Sequence, residues 1–280
     1  MIKTAQTRPE TLPLAGNFAF VEGAVKLSSH YAVMFVYEHE IFGSGTLVSV
    51  GGVHGILTAH HVSLVPERKG WQESSLCYRN DMLHNKIVKR SDYEHIIVGK
   101  YHESHADTGP DLSFLMFTNA ALFSTLNAKK SFYPLDPKFN PGLSQYPMAD
   151  LRKMPWWISG SPAEFTEPLG TDEDGDPKTK FSDFHADCGF ELLEARDDGF
   201  DYITFDVHAG INKFPGDYGG MSGGGIWTVR VEEMPNGSRH PAQILQGVSF
   251  YQTTPESGHS KLIGHGPQSI YQKVLQTLKA

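Results

Sequence analysis

The chain has 280 residues, 39% of them apolar, with 28 glycines, 17 prolines, two cysteines and a net charge of −8. That length can bury the core of one large all-β domain or two smaller ones, and the Gly and Pro content favours many turns over long helices. The negative charge argues against a nucleic-acid partner, no apolar run is long enough to span a bilayer, and Cys77 and Cys188 lack CxxC or zinc-finger spacing, so two free thiols are expected.

Residues 1–17 read as a polar arm without the apolar stretch of a signal peptide, which places the expected location in the cytoplasm. Short apolar runs bounded by turn residues follow: "HYAVMFVY" (30–37), "GTLVSV" (45–50), "HGILTAHHV" (54–62), "EHIIVGKY" (94–101) and "DLSFLMF" (111–117). Gly51-Gly52 between the second and third has the signature of a tight hairpin. The run at 54–62 ends on adjacent histidines, His60 and His61, which on a strand would face opposite ways. A Pro-rich linker is expected over 133–153, separating a first β unit (18–132) from a second (154–280). The second unit contains "MPWWISGSP" (154–162), "FDYITFDVH" (200–208), "GGGIWTVRV" (223–231) and "ILQGVSFYQ" (244–252). The last segment, "SIYQKVLQTLKA", reads as a helix with an apolar stripe and a capping box from Ser269 and Gln272.

One stretch carries chemistry. In "GDYGGMSGGGIW" (216–227), four glycines flank Met221-Ser222. Glycines permit unusual backbone angles and close approach, so such a turn can aim N–H groups at a developing oxyanion beside a serine nucleophile. A glycine-rich turn at a β-bulge is the alternative. The G-x-S-x-G pattern also fits the nucleophile elbow of α/β-hydrolases, but that fold needs an acid and then a histidine after the serine, with βαβ alternation before it. No Asp follows Ser222, and the alternation is missing.

Taken in the order His, Asp, Ser, three stretches line up: "GSGTLVSV…GILTAHHV", "DLSFLMF" and "GMSGGG". Together they resemble the signatures of the trypsin-like (chymotrypsin-fold) serine peptidases, of a disulfide-free bacterial type. Fifty residues separate His61 from Asp111, and 111 separate Asp111 from Ser222. "WISGSP" and "LQGVSFYQ" resemble later strands of that family, and "IYQKV" its approach to the closing helix, so the likeness spans roughly 30–280. The resemblance implies an all-β chain of two six-stranded antiparallel β-barrels with a C-terminal helix. It implies a serine endopeptidase with a His61–Asp111–Ser222 triad and an oxyanion hole from the N–H groups of Gly220 and Ser222. His60 becomes a packed bystander. Asp107 and Asp92 are the competing acids, and Asp111 is preferred because an apolar strand follows it directly.

Pocket positions implied by the resemblance are Asp217, Phe250, Tyr251, Gln252 and Ser269. Asp217 could favour Lys or Arg beside the cleaved bond, or could be a solvated turn residue. Met221 stands where secreted members carry an Asp that pairs with a cut N-terminus, so activation by such cutting is not expected. Restraint by a protein partner or by a disordered active-site loop takes its place. The expected partners are therefore a protein or peptide substrate and an activating or inhibiting protein. No metal or other cofactor is implied. Asp172, Asp174, Asp176 and Asp183 have EF-hand-like offsets, but Pro177 replaces the required Gly, so an acidic surface loop is expected. Fourteen histidines form no zinc array, and Trp156-Trp157 reads as core. The alternative function is a trypsin-fold binding or scaffold module without turnover.

Overall fold

The computed structural model describes residues 18–79, 83–136, 143, 146–171, 177–180, 184–211, 214–233 and 239–280. The four aspartates of the acidic loop lie outside them. Seven strands make the first antiparallel sheet: β1 (Ala32–Tyr37), β2 (Glu40–Val50), β3 (Val53–Thr58), β4 (Glu73–Arg79), β5 (Leu83–Lys89), β6 (Tyr93–Gly99) and β7 (Leu112–Phe117). Their order is β5-β4-β1-β2-β3-β7-β6, and a short β8 (Tyr133–Pro134) pairs in parallel with Val48 and Ser49 of β2. After β9 (Trp156–Gly160) comes a separate hairpin of β10 (Glu167–Thr171) and β11 (Pro177–Lys180). Then follow β12 (Phe184–Asp187), β13 (Gly189–Ala195), β14 (Asp201–His208), β15 (Gly225–Glu233), β16 (Arg239–Gln252) and β17 (His259–His265). The second sheet runs β12-β9-β15-β16-β17-β14-β13. This is the two-barrel architecture of the chymotrypsin fold, with seven strands in each curled sheet where six were expected.

The β2–β3 hairpin turns on Gly51 and Gly52 at φ +59° and +89°, a region a side chain would disfavour. The strands missing from the sequence reading are the polar ones. β4 ("ESSLCYR") buries Leu76, Cys77 and Tyr78, and β5 ("LHNKIVK") buries Val88 while Ile87 faces solvent. Such strands gain their structure from pairing rather than from a continuous apolar run. The 54–62 run also differs from expectation. Its strand stops at Thr58, and His60–Ser63 forms one helical turn, so the two histidines diverge by helical rather than strand geometry.

The stretch before β1 is a helix, Phe18–Ser28, which packs on β15 and β16 of the second sheet. Its last residue, Ser28, is buried, with its hydroxyl 2.8 Å from Ser159 Oγ and accepting from Trp157 Nε1 at 3.0 Å. Trp227 of β15 stacks on Tyr31 at 5.4 Å and meets Tyr133 edge-on at 5.3 Å, so aromatic packing joins the two halves. At the C-terminus a π-helical turn, Ser269–Lys273, leads into Val274–Lys279. Ile270, Tyr271 and Val274 of the expected stripe are fully buried. The capping box does not form. Ser269 Oγ instead donates to the buried Asp201 carboxylate, which also accepts the N–H groups of Gln268 and Ser269. A carboxylate distant in sequence thus does the capping. Neither Cys77 nor Cys188 is in a disulfide; burial pushes the Cys77 thiol up to about 12, and Cys188 Sγ donates to Ala186 O at 3.0 Å. Among the described residues no helix is long and apolar enough to cross a membrane.

Candidate active site

His61 and Asp111 are held by adjacent strands. β3 pairs with β7, and the helical turn after β3 brings His61 over the start of β7. Asp111 Oδ2 lies 2.6 Å from His61 Nδ1, and Asp111 Oδ1 accepts the backbone N–H of His61 at 2.8 Å. Asp111 is 1% exposed and the His61 side chain 29%, so a buried acid supports a base that reaches solvent. Asp92 and Asp107 are elsewhere. Asp92 accepts from Lys89 N–H and Asn119 Nδ2, and Asp107 is exposed.

His60 points inward. Its Nδ1 accepts the Tyr101 N–H at 2.7 Å, and burial holds its pKa down at about 4. The Tyr101 ring stands 5.5 Å from that of His61. A second buried histidine escaped the sequence reading. His265, at the end of β17, is fully buried, and its Nε2 accepts the Asp111 N–H at 2.9 Å. The rings of Phe200, Tyr202 and Phe250 surround it, and its Nδ1 has no partner among the described residues. Burial lowers its pKa to about 4. The neutral ring is what this site demands, because only the neutral ring can accept that N–H.

The Gly219–Ser222 turn is pinned on several sides. Gly219 C=O accepts the Ala163 N–H at 2.7 Å. Across a trans peptide the next N–H points the opposite way. The Gly220 N–H therefore faces away from Ala163, and neither it nor the Ser222 N–H has an acceptor among the described residues. Gly220 sits at φ +90°, where a Cβ would come within 2.7 Å of Ser161 O. Gly223, at φ +92°, passes so close to Ser44 that a Cβ would stand 2.0 Å from its carbonyl oxygen. Ser44 is the main clamp. Its N–H donates to Ser222 O at 2.8 Å, its hydroxyl donates to Gly220 O at 2.7 Å, and Ser44 Oγ also accepts the Ser161 N–H at 3.1 Å. Thr58 Oγ1 in turn donates to Ser44 O at 2.7 Å. The G-S-G strand motif was the available signal for this role.

Met221 is 2% exposed and packs with Trp156, Ile158 and Ile226 in the second core. Ser249 Oγ donates to Met221 O at 2.9 Å. The turn is thus anchored by an apolar plug and hydrogen bonds. The Ser222 hydroxyl makes a long 3.4 Å bond to Phe250 O and none to His61. A groove beside it includes Asp217, Phe250, Tyr251 and Gln252. Ser269 is not among its walls, because it is consumed by the Asp201 contact at the helix start.

No family model and no curated protein matches the chain. Among solved structures, mouse neuropsin, a serine protease of the limbic system, has 12% identity over 90% of this chain and 96% of its own, with a TM-score of 0.46. The serine endoprotease from Yersinia pestis has 15% identity over 92% of this chain and 65% of its own, with a TM-score of 0.45. Human heparin binding protein has 12% identity over 88% and 90%, with a TM-score of 0.43.

Proposed function

We propose that this chain is a serine endopeptidase with His61, Asp111 and Ser222 as its triad. The observation that carries the reading is the pair of hydrogen bonds between Asp111 and His61, set beside a turn whose Gly220 and Ser222 N–H groups have no acceptor among the described residues. In this reading Ser222 Oγ attacks the peptide carbonyl while His61 Nε2 takes its proton. The two N–H groups bind the oxyanion, and His61 returns the proton to the leaving amine. Water then attacks the acyl-enzyme ester, again with His61 as base. The Ser222 hydroxyl must rotate away from Phe250 O to begin, at little energetic cost because so long a bond is weak. The same contact favours the second reading, a latent or catalytically silent trypsin-fold module that waits for a partner.

Labelling with a fluorophosphonate separates the two. The peptidase reading expects wild type to label and Ser222→Ala and His61→Ala not to. A well-folded wild type that does not label supports the silent module. Partner control is tested alongside: rapid cleavage of generic substrates by the purified chain alone would remove the need for an activator.

Ser44 is a positioning residue in this reading. Ser44→Ala leaves Gly220 C=O and Ser161 N–H without their bonds and should lower kcat by about 10- to 100-fold with KM nearly unchanged, since the oxyanion N–H groups act in the transition state. Steady-state kinetics with Ser44→Thr as the rescue variant checks it. An equal rise in KM and no fall in kcat would remove the role.

A further inference from the structure

We infer that the site accepts an uncharged, mainly apolar side chain on the residue that acylates Ser222, an inference that rests on the peptidase reading. A groove of about 480 Å3 opens beside Ser222, between the Gly216–Gly219 loop and the end of β16. Gly219, Met221 and Ser222 border it, and they belong to the turn that presents the oxyanion N–H groups. The side chain entering the groove is therefore that of the residue whose carbonyl is attacked.

The walls decide which side chain fits. Among the described residues no Lys, Arg or His lines the groove, and Asp217 is the one carboxylate that does. That carboxylate is exposed, with Oδ1 accepting the Gly219 N–H at 2.6 Å while the Asp217 N–H donates to Glu164 Oε2 at 2.8 Å, so an ion pair made with it would be screened by water. Gln252 joins the two walls, with Oε1 accepting the Tyr218 N–H at 2.7 Å and Nε2 donating to Gly216 O at 3.3 Å. An amide satisfies both partners and brings no charge. Tyr218, Phe250 and Leu262 supply buried apolar surface, each under 5% exposed. An ammonium or guanidinium placed against these apolar walls would lose water for, at most, a screened pair with the exposed Asp217, whereas a Phe or Leu side chain would gain by leaving water. Asp217 is then a solvated turn residue rather than the source of a Lys or Arg preference.

The test uses the purified full chain with succinyl-Ala-Ala-Pro-Xaa 4-nitroanilides, where Xaa is Phe, Leu, Lys or Arg. The expected kcat/KM for Phe or Leu exceeds that for Lys or Arg by at least about 100-fold. Lys or Arg equal to or ahead of Phe and Leu would overturn the inference while leaving the peptidase reading intact. Diphenyl phosphonates bearing Phe or Lys side chains give the same ranking if turnover is slow. If those and a generic fluorophosphonate all fail on folded protein, the peptidase reading falls and the inference with it. Gln252→Glu adds one negative charge at constant shape and should raise the Lys-to-Phe ratio about tenfold. An unmoved ratio in a folded variant would overturn the assignment of this groove. Should that variant not fold, the wild-type ranking decides.

Discussion

Asp111→Asn should lower kcat/KM for peptide cleavage by about 10⁴-fold while the protein stays folded. The native carboxylate accepts two bonds from one residue, the His61 backbone N–H on Oδ1 and the ring at Nδ1 on Oδ2. An asparagine can keep the first by presenting its carbonyl oxygen to the backbone. Its NH2 group then faces Nδ1 and forces the proton onto Nε2. A ring protonated at Nε2 cannot take the Ser222 proton, so the base is lost without loss of packing. The side chain is nearly isosteric, and Asp111 sits in a preformed site at the start of β7, so thermal unfolding should change little. Matched kinetics and melting curves make the check. A fall of less than tenfold in a folded variant would mean that another group orients His61.

The second expected result is a steep loss of stability between pH 6.5 and 4. His60 and His265 both have an ordinary pKa of 6.5 lowered to about 4 in the folded chain, by burial first. Around His60 stand His95, His61 and Lys100, which lower it further, and Asp111, which opposes; around His265, Asp111 and Asp198 oppose and Arg196 lowers. Since the folded pKa lies below the unfolded one, the unfolded chain binds protons first as pH falls. Above pH 6.5 neither state is protonated and nothing is lost. Between 6.5 and 4 each histidine withdraws stability, on the order of 3 kcal/mol when the window has been crossed. That is a large share of the 5–15 kcal/mol typical of a folded domain. Urea unfolding at pH 7.5, 5.5 and 4.5 measures it. His265→Gln keeps an acceptor for the Asp111 N–H but cannot titrate, so its stability should fall less steeply with acid than that of wild type. Identical slopes would show that His265 is not protonated on unfolding.

Both results converge on Asp111, yet His61 and Asp111 were legible as local patterns and His265 was not. The G-S-G strand, the histidine pair, the Asp-Leu strand start and the glycine-rich serine turn were all visible as local patterns. The glycines at Gly220 and Gly223 were visible locally, although what requires them is the close passage of the distant Ser161 and Ser44. The apolar runs of β1, β3, β7, β14 and β16 were visible for the same kind of reason, since a strand buried on both faces reads as a continuous hydrophobic stretch. β4, β5 and β13 were not, because their polar residues take strand form only once a neighbour supplies the other half of the hydrogen bonds.

The sequence by itself determined the apolar strands and many of the turns between them, and placed a carboxyl (Asp111), an imidazole (His61) and a hydroxyl (Ser222) near strand ends. Only the tertiary structure decided which polar groups meet. Ser269 was expected in the pocket and instead binds Asp201, 68 positions away, at the start of the last helix. His265 gave no local signal, yet it crosses 154 positions to hold the Asp111 backbone. Ser44 reaches Gly220 across 176. Strand periodicity follows from backbone geometry within a few residues, whereas a buried donor finds its acceptor through the packing of whole sheets. Burial leaves such groups no water to bond instead.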